Sequence, residues 1–127
     1  MVFFYGTGYR FYTVPNESKK TKKDILVEKF LAIVKENYKE QRMIEFYSDK
    51  LFLTPKHLSR VIKERSGKSS GEWIEDHVML EAKALLKSTD KTIQQISDEL
   101  NFPSQSFFGK YFKRRAGISP KEYRKSS

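Results

Sequence analysis

The chain has 127 residues, a formal net charge of +9 and no cysteine. That length accommodates one compact domain with a short appendage. The positive charge favours a polyanionic partner, either nucleic acid or an anionic membrane surface. The lack of cysteine excludes a disulfide framework and thiol chemistry and is typical of a reducing cytoplasm. Because no apolar run approaches the ~20 residues of a membrane span and no signal peptide is visible, we expect a cytoplasmic protein.

The N-terminal segment, residues 1–15, differs in composition from the rest of the chain. Aromatic and β-branched residues flank Gly6-Thr7-Gly8, which is typical of a strand or hairpin. Two interpretations stay open: a disordered tail, or the last strand of an upstream domain that is absent from this chain. Residues 16–23 are polar and basic, and we interpret them as a linker.

From Asp24 onward the apolar residues recur at helical spacing. The stripe that predicts the first helix consists of Leu26, Phe30, Ile33, Val34 and Tyr38. A short helix is predicted from about Met43 to Leu51.

The third predicted helix has a signal at each end. Thr54 and Pro55 are typical of an N-cap and a first helical position, and Gly67 is typical of a left-handed residue after a helix that ends near Ser66. A longer helix should then run from Ser69 or Ser70 to Lys87.

The same signals recur in the C-terminal part of the chain. Thr92 should cap a short helix, and Ser104 should cap a second basic helix that ends before Gly117. Ser119-Pro120 repeats the start signal for a terminal turn through Arg124. The sequence therefore predicts an all-α fold with seven helices.

Residues 44–73 and 93–123 are two copies of one pattern. With one residue inserted at Pro103, Ser48-Asp49 aligns with Ser97-Asp98, and Gly67 aligns with Gly117. Each copy is a short helix, a tight turn and a basic helix, which is the unit that places a helix in a DNA major groove. We therefore predict helix-turn-helix units over about residues 43–66 and 92–116.

Basic residues are concentrated in the second helix of each copy. Residues 55–65 carry four basic residues and one acid, Glu64, and residues 105–115 carry four basic residues and no acid. Charge segregated in this way favours the counterion release that accompanies phosphate binding. A solvated basic face is the usual alternative, but two such faces at corresponding places in a repeat favour nucleic acid.

Helical spacing divides both basic helices into an inward apolar face and an outward polar face. The inward residues are Leu58, Val61 and Ile62 in the first helix, and Phe108, Tyr111 and Phe112 in the second. Phe107 belongs to the same aromatic cluster, for which core packing is favoured over stacking on single-stranded bases. We expect the contacts to DNA phosphates to come from Thr54, His57, Lys63, Ser104, Lys113 and Arg114.

Catalytic and metal-binding patterns are missing from the sequence. His57 and His77 are the only two histidines, and neither has another histidine or a cysteine at ligand spacing. Gly6-Thr7-Gly8 lacks the lysine and following helix of a phosphate-binding loop. We therefore expect no enzymatic activity, no metal and no cofactor.

Residues 24–124 resemble the DNA-binding domain of AraC/XylS-type transcriptional regulators. The resemblance rests on ISDELNFPSQSFFGKYFKRRAGISPKEYR and is supported by LTPKHLSRVIKERSGKSSGEW and by EAKALL. It implies two helix-turn-helix units joined by a long helix, with both second helices in the major groove of double-stranded DNA, about one helical turn (~34 Å) apart. By position, the residues expected to read bases are Lys56, Ser59, Arg60, Gln105, Ser106, Gly109 and Lys110.

Four positions depart from that family's pattern. Val78 and Lys110 stand where arginine is common, and Ile62 stands where phenylalanine is common. The second turn is Asn101-Phe102 instead of Gly-Phe, and asparagine tolerates the left-handed conformation that glycine provides. A lysine at position 110 replaces a bidentate fork with a point charge, which predicts weaker base reading there.

The resemblance also bears on the rest of the protein. Many such domains follow an N-terminal sensor and dimerisation domain, of which residues 1–15 would be the edge; the alternative is a small stand-alone regulator. RNA polymerase is a further candidate partner. Two other functions stay open: a non-specific architectural nucleic-acid binder, and a peripheral membrane module with a basic amphipathic face.

Overall fold

The computed structural model describes the backbone of residues 2–3 and 12–13 and all of residues 20–127. Val2–Phe3 (β1) and Tyr12–Thr13 (β2) form an antiparallel pair with Val2 opposite Thr13. The Gly6-Thr7-Gly8 segment and most of the predicted linker lie outside the described residues.

Seven helices follow within residues 20–127. They are α1 (Lys22–Asn37), α2 (Ile44–Lys50), α3 (Pro55–Ser66), α4 (Ser70–Ser88), α5 (Ile93–Glu99), α6 (Gln105–Ala116) and α7 (Pro120–Lys125). The predicted all-α tandem architecture is confirmed. Helix α1 begins two residues before the predicted Asp24, because the side chains of Thr21 and Asp24 form a capping box.

The chain divides into two compact units, Met1–His77 and Val78–Ser127. The first unit contains α1 and the helix-turn-helix formed by α2 and α3, and the second contains α7 and the helix-turn-helix formed by α5 and α6. Helix α4 contributes its N-terminal part to the first unit and its C-terminal part to the second.

In the first unit, α1 packs against α2 and α3 around one apolar core. The core residues are Val27, Phe30, Leu31, Val34, Tyr47, Leu58, Ile62, Trp73 and Ile74. Tyr47 is fully buried, and its hydroxyl donates a hydrogen bond to the carbonyl of Gln41 at 2.6 Å. Burial raises the pKa of Tyr47 to about 12, so the hydroxyl stays a neutral donor.

The core of the second unit contains a chain of aromatic rings. Phe102, Phe108 and Phe112 are buried, with ring centroids 5.0 Å apart for the first pair and 6.0 Å apart for the second. Tyr123 of α7 continues the chain, with its ring 5.5 Å from that of Phe112. These edge-on and tilted contacts fix the inward face of α6 against its own unit.

Both helix-turn-helix turns use the same backbone geometry. Phe52 and Asn101 adopt the left-handed conformation, with φ of 57° and 60°. The next amide closes the turn in both units: Leu53 donates to the Ser48 carbonyl at 2.9 Å, and Phe102 donates to the Ser97 carbonyl at 3.0 Å. The prediction for Asn101 is thereby confirmed, whereas a phenylalanine in this conformation was not foreseen from the sequence.

Candidate nucleic-acid interface

Helix α3 is held at both ends as its sequence predicts. The hydroxyl of Thr54 accepts a hydrogen bond from the backbone N–H of His57 at 3.1 Å, and Gly67 ends the helix with φ of 78°. Leu58, Val61 and Ile62 are buried, so the opposite face of the helix is turned outward.

The outward face of α3 presents the residues predicted to read bases. Lys56 and Arg60 are exposed and Ser59 is half-buried. Lys63 is exposed too, and its ammonium group donates to the carbonyl of Gly67 at 3.3 Å. The spacing of these four residues places them on one side of the helix, which gives that side a net positive charge.

Two charged residues of α3 contact α1 instead. The guanidinium of Arg65 donates to the Thr21 hydroxyl at 2.9 Å and lies 3.7 Å from the Asp24 carboxylate. The carboxylate of Glu64 lies 3.3 Å from the Lys23 ammonium. The only acid of α3 is therefore paired with α1, and Arg65, which the sequence grouped with the basic face, connects the two helices.

Helix α6 repeats the scheme. The hydroxyl of Ser104 accepts from the backbone N–H of Phe107 at 3.1 Å, and Gly117 ends the helix with φ of 85°. Of the side chains predicted to read bases, Gln105, Ser106 and Lys110 are exposed.

Gly109 lies on the same part of α6 and is half-buried. A Cβ atom placed on it would meet no atom of the protein within 4 Å. The packing of this chain therefore does not require glycine here, although glycine lowers helix stability by roughly 1 kcal/mol relative to alanine. The open space beside the backbone is available to a ligand.

A surface hollow of about 530 Å³ adjoins this face in the second unit. Its lining consists of Ile93, Gln105, Ser106, Gly109, Ser119, Pro120 and Lys121. Lys121 is exposed and adds a cation beside the outward face of α6. The sequence reading missed it; its place just after Ser119-Pro120 was the available signal.

Phe107 is where the core prediction was wrong. Its side chain is 53% exposed, whereas Phe108 and Phe112 are fully buried. Successive residues of a helix point about 100° apart, so Phe107 lies at the flank of the inward face. Its ring is tilted against that of Phe102, with the centroids 6.2 Å apart. Helix α6 therefore presents a large apolar side chain beside Ser106 and Lys110.

The remaining predicted phosphate contacts lie toward the C-terminal end of α6. Lys113 and Arg114 are exposed, and the Arg114 guanidinium lies 5.4 Å from the centre of the Tyr111 ring. Val78, by contrast, is fully buried, so this position of α4 offers no charge to a ligand.

Two of the four acids on α4 have partners within the first unit. Asp76 is buried and pairs with the buried Lys68, and the Glu72 carboxylate accepts from the Ser69 backbone N–H at 3.1 Å. Their negative charge is thereby bound to partners within the first unit.

The part of the chain that the structure describes also bears on metal binding and on membrane insertion. There, no group of three or more histidine, cysteine, aspartate or glutamate side chains could hold a metal ion. None of the helices described there is long and apolar enough to cross a membrane.

Known proteins share both the sequence pattern and this arrangement. Residues 47–126 match a family model described as a helix-turn-helix domain. The chain is 34% identical over 92 residues to the HTH-type transcriptional regulator YisR of Bacillus subtilis, covering 72% of this chain and 32% of that protein. It is 35% identical over 72 residues to the arabinose operon regulatory protein of Escherichia coli, covering 57% and 25%.

The fold matches as well. The C-terminal domain of AraT, a response regulator from Geobacillus stearothermophilus, superposes with a TM-score of 0.77 at 26% identity, covering 84% of this chain and 89% of that one. The chain spans a third or less of the length of YisR and of the arabinose operon regulatory protein. It belongs to the helix-turn-helix domain family and carries an AraC-type DNA-binding domain of the kind found in sequence-specific transcriptional regulators.

Proposed function

We propose that this chain regulates transcription by binding two unlike half-sites in double-stranded DNA, one through α3 and one through α6. One observation carries the proposal. The two helices share their caps and turn geometry but expose different outward side chains at equivalent positions, with Lys56, Ser59 and Arg60 in the first and Ser106, Gly109 and Lys110 in the second.

The side chains suit different bases. The exposed guanidinium of Arg60 can bind a guanine through two hydrogen bonds, and the exposed amide of Gln105 can pair with adenine in the same way. Phe107 adds an apolar surface for a thymine methyl group, a contact that helix periodicity did not predict. The bare backbone at Gly109 lets α6 approach the base edges closely.

Phosphates would be bound beside these contacts. Both helices have 12 residues and begin at a hydroxyl cap, so their first backbone N–H groups form favourable positions for an anion. Thr54, Ser104, Lys63, Lys113 and Arg114 are all exposed and can add contacts that fix the register of the protein on DNA.

The wider protein is also part of the proposal. The regulator would act in the cytoplasm on promoter DNA, with RNA polymerase as a second partner. The chain spans a third or less of YisR and the arabinose operon regulatory protein. Residues 1–15 would be the edge of an upstream sensor domain, and a small stand-alone regulator is the alternative.

The test is selection of duplexes from a randomised library of about 30 base pairs with the 127-residue chain, followed by footprinting of the selected duplex. We expect two protected major-groove segments on one face of the DNA, about one helical turn apart. A single protected segment would contradict the bipartite mode.

Similar affinity for selected and scrambled duplexes at matched salt would instead identify a non-specific binder. Co-sedimentation with anionic vesicles without duplex selectivity would identify a membrane module.

A further inference from the structure

One contact on the outward face of α3 joins two of the residues discussed above. The Nη2 atom of Arg60 lies 3.2 Å from the Nδ1 atom of His57, three residues earlier in the helix. Side chains at this spacing are neighbours on a helix surface. His57 is half-buried whereas Arg60 is exposed, so the imidazole has less freedom to move than the guanidinium.

The chemistry of the pair fixes the roles of both groups. A guanidinium has N–H donors and no acceptor, so Nδ1 of His57 must accept the hydrogen bond. The contact therefore requires the tautomer of His57 that carries its proton on Nε2. The bond uses one of the five guanidinium N–H groups and leaves four, which is enough for a bidentate contact to a guanine.

We infer that His57 is a positioning residue that holds Arg60 ready to read a guanine, an inference that rests on the DNA-binding function proposed for α3. An arginine that is already ordered loses less side-chain entropy when it docks, and affinity rises accordingly. His57 thus acts on specificity through Arg60.

The second unit lacks this arrangement. The positions that align with His57 and Arg60 are occupied by Phe107 and Lys110. A phenyl ring offers no hydrogen-bond acceptor, and a lysine offers no planar fork. The positioning of an arginine by a histidine is therefore inferred for the first unit only, and the second unit provides a matched control.

The experiment is a double-mutant cycle on the 127-residue chain with the duplex selected by the wild-type protein. Arg60→Ala first identifies the base pair at which discrimination depends on Arg60. His57→Ala should then weaken binding to the selected duplex about two- to tenfold, the cost of ordering one free side chain. The same change should have little effect in the Arg60→Ala background, or on a duplex in which that guanine is replaced by adenine.

A rescue variant separates positioning from packing. His57→Gln keeps an acceptor oxygen and should recover part of the lost discrimination at that base pair, whereas His57→Ala should not. In the control pair, Phe107→Ala and Lys110→Ala should have additive effects. Equal loss from His57→Ala in both Arg60 backgrounds, or no loss at all, would overturn the inference. If the wild-type chain selects no sequence, the proposed function is wrong. If it does select one and the effects of His57→Ala and Arg60→Ala on binding are additive, only the inference about His57 is wrong.

Discussion

The two helix-turn-helix units share one backbone geometry, but different contacts hold the second helix of each unit in place. In the first unit, polar bonds at the end of α3 add to its apolar core. Arg65 contacts Thr21 and Asp24 at the start of α1, and the Trp73 indole N–H donates to the Ser66 hydroxyl at 2.9 Å. In the second unit, α6 is held mainly by edge-on contacts between aromatic rings that end at Tyr123.

An arginine adds polar bonds to the aromatic packing of the last helix of the second unit. Arg124 donates from Nε to the Leu86 carbonyl at 2.9 Å, which ties α7 to the end of α4. Its counterpart in the first copy would lie inside α4, where no separate helix has to be fastened. Because inward contacts hold α3 and α6 in place, the outward side chains of the two helices can differ without changing the fold.

The largest expected effect concerns a buried ion pair of the first unit that has no counterpart in the second copy. Lys68 and Asp76 form a buried pair, and the Lys68 ammonium lies 4.0 Å from the centre of the Trp73 ring. Lys68→Met removes the cation from a buried carboxylate and should lower the free energy of unfolding of the first unit by about 3–5 kcal/mol. Urea denaturation with hydrogen exchange would measure it. Lys68→Met combined with Asp76→Leu should regain most of the loss. Ile118→Met, at the aligned position, should cost much less, and a similar cost there would contradict the comparison.

The next effect compares the two reading faces. Arg60→Ala should weaken binding to the selected duplex by about 1–3 kcal/mol and relax discrimination at one base pair, because a bidentate contact is lost. Lys110→Ala should cost less and act more evenly across sequences, since lysine is a point charge. Titration of both variants against the selected and the single-base-substituted duplexes separates the two. A uniform loss for Arg60→Ala on every duplex would make that residue a phosphate contact.

The third prediction exchanges the residue types at the left-handed positions of the two turns. Phe52 is 94% exposed and left-handed, so its conformation is strained without compensating burial. Phe52→Asn should raise the free energy of unfolding by about 1 kcal/mol, and Asn101→Phe should lower it by a similar amount. Thermal unfolding of both variants measures this. A destabilised Phe52→Asn protein would mean that the ring makes a contact that outweighs the strain.

Gly109 and Ser59 occupy aligned positions on the two reading helices. Gly109→Ala should stabilise the chain by up to about 1 kcal/mol, since the new methyl group meets nothing in the protein, while weakening binding to the selected duplex. Ser59→Ala should change stability little. For Gly109→Ala we therefore expect a higher melting temperature and a lower affinity for the selected duplex, measured by thermal melting and by DNA titration. Unchanged affinity would remove Gly109 from the interface.

The smallest effect near neutral pH concerns His77, which has no counterpart in the second copy. Burial lowers the pKa of this imidazole below its ordinary value of 6.5, against the opposing hydrogen bond from Nδ1–H to the Trp73 carbonyl. The unfolded chain therefore takes up this proton at a higher pH than the folded chain. Stability should fall as the pH drops below about 6.5 and continue to fall toward the lower folded-state pKa. Melting from pH 7.5 to 5 tests this, and His77→Gln should flatten the slope.

Much of the fold follows from local signals. The caps at Thr54, Thr92, Ser104 and Ser119 and the C-terminal residues Gly67 and Gly117 depend on bonds within a few residues, and all lie where the sequence predicts. Helical periodicity also predicted the buried faces of α3 and α6, because the spacing of apolar residues in an amphipathic helix shows which side is apolar.

What the sequence by itself determined is therefore the two helix-turn-helix units, their caps and the outward position of the residues expected to read bases. Only the tertiary structure decided which charges remain outward, because pairing depends on residues distant in the chain. It joined Arg65 to Thr21 and buried Lys68 against Asp76. It also left Phe107 half exposed, since a flanking position is buried only if a neighbouring element covers it.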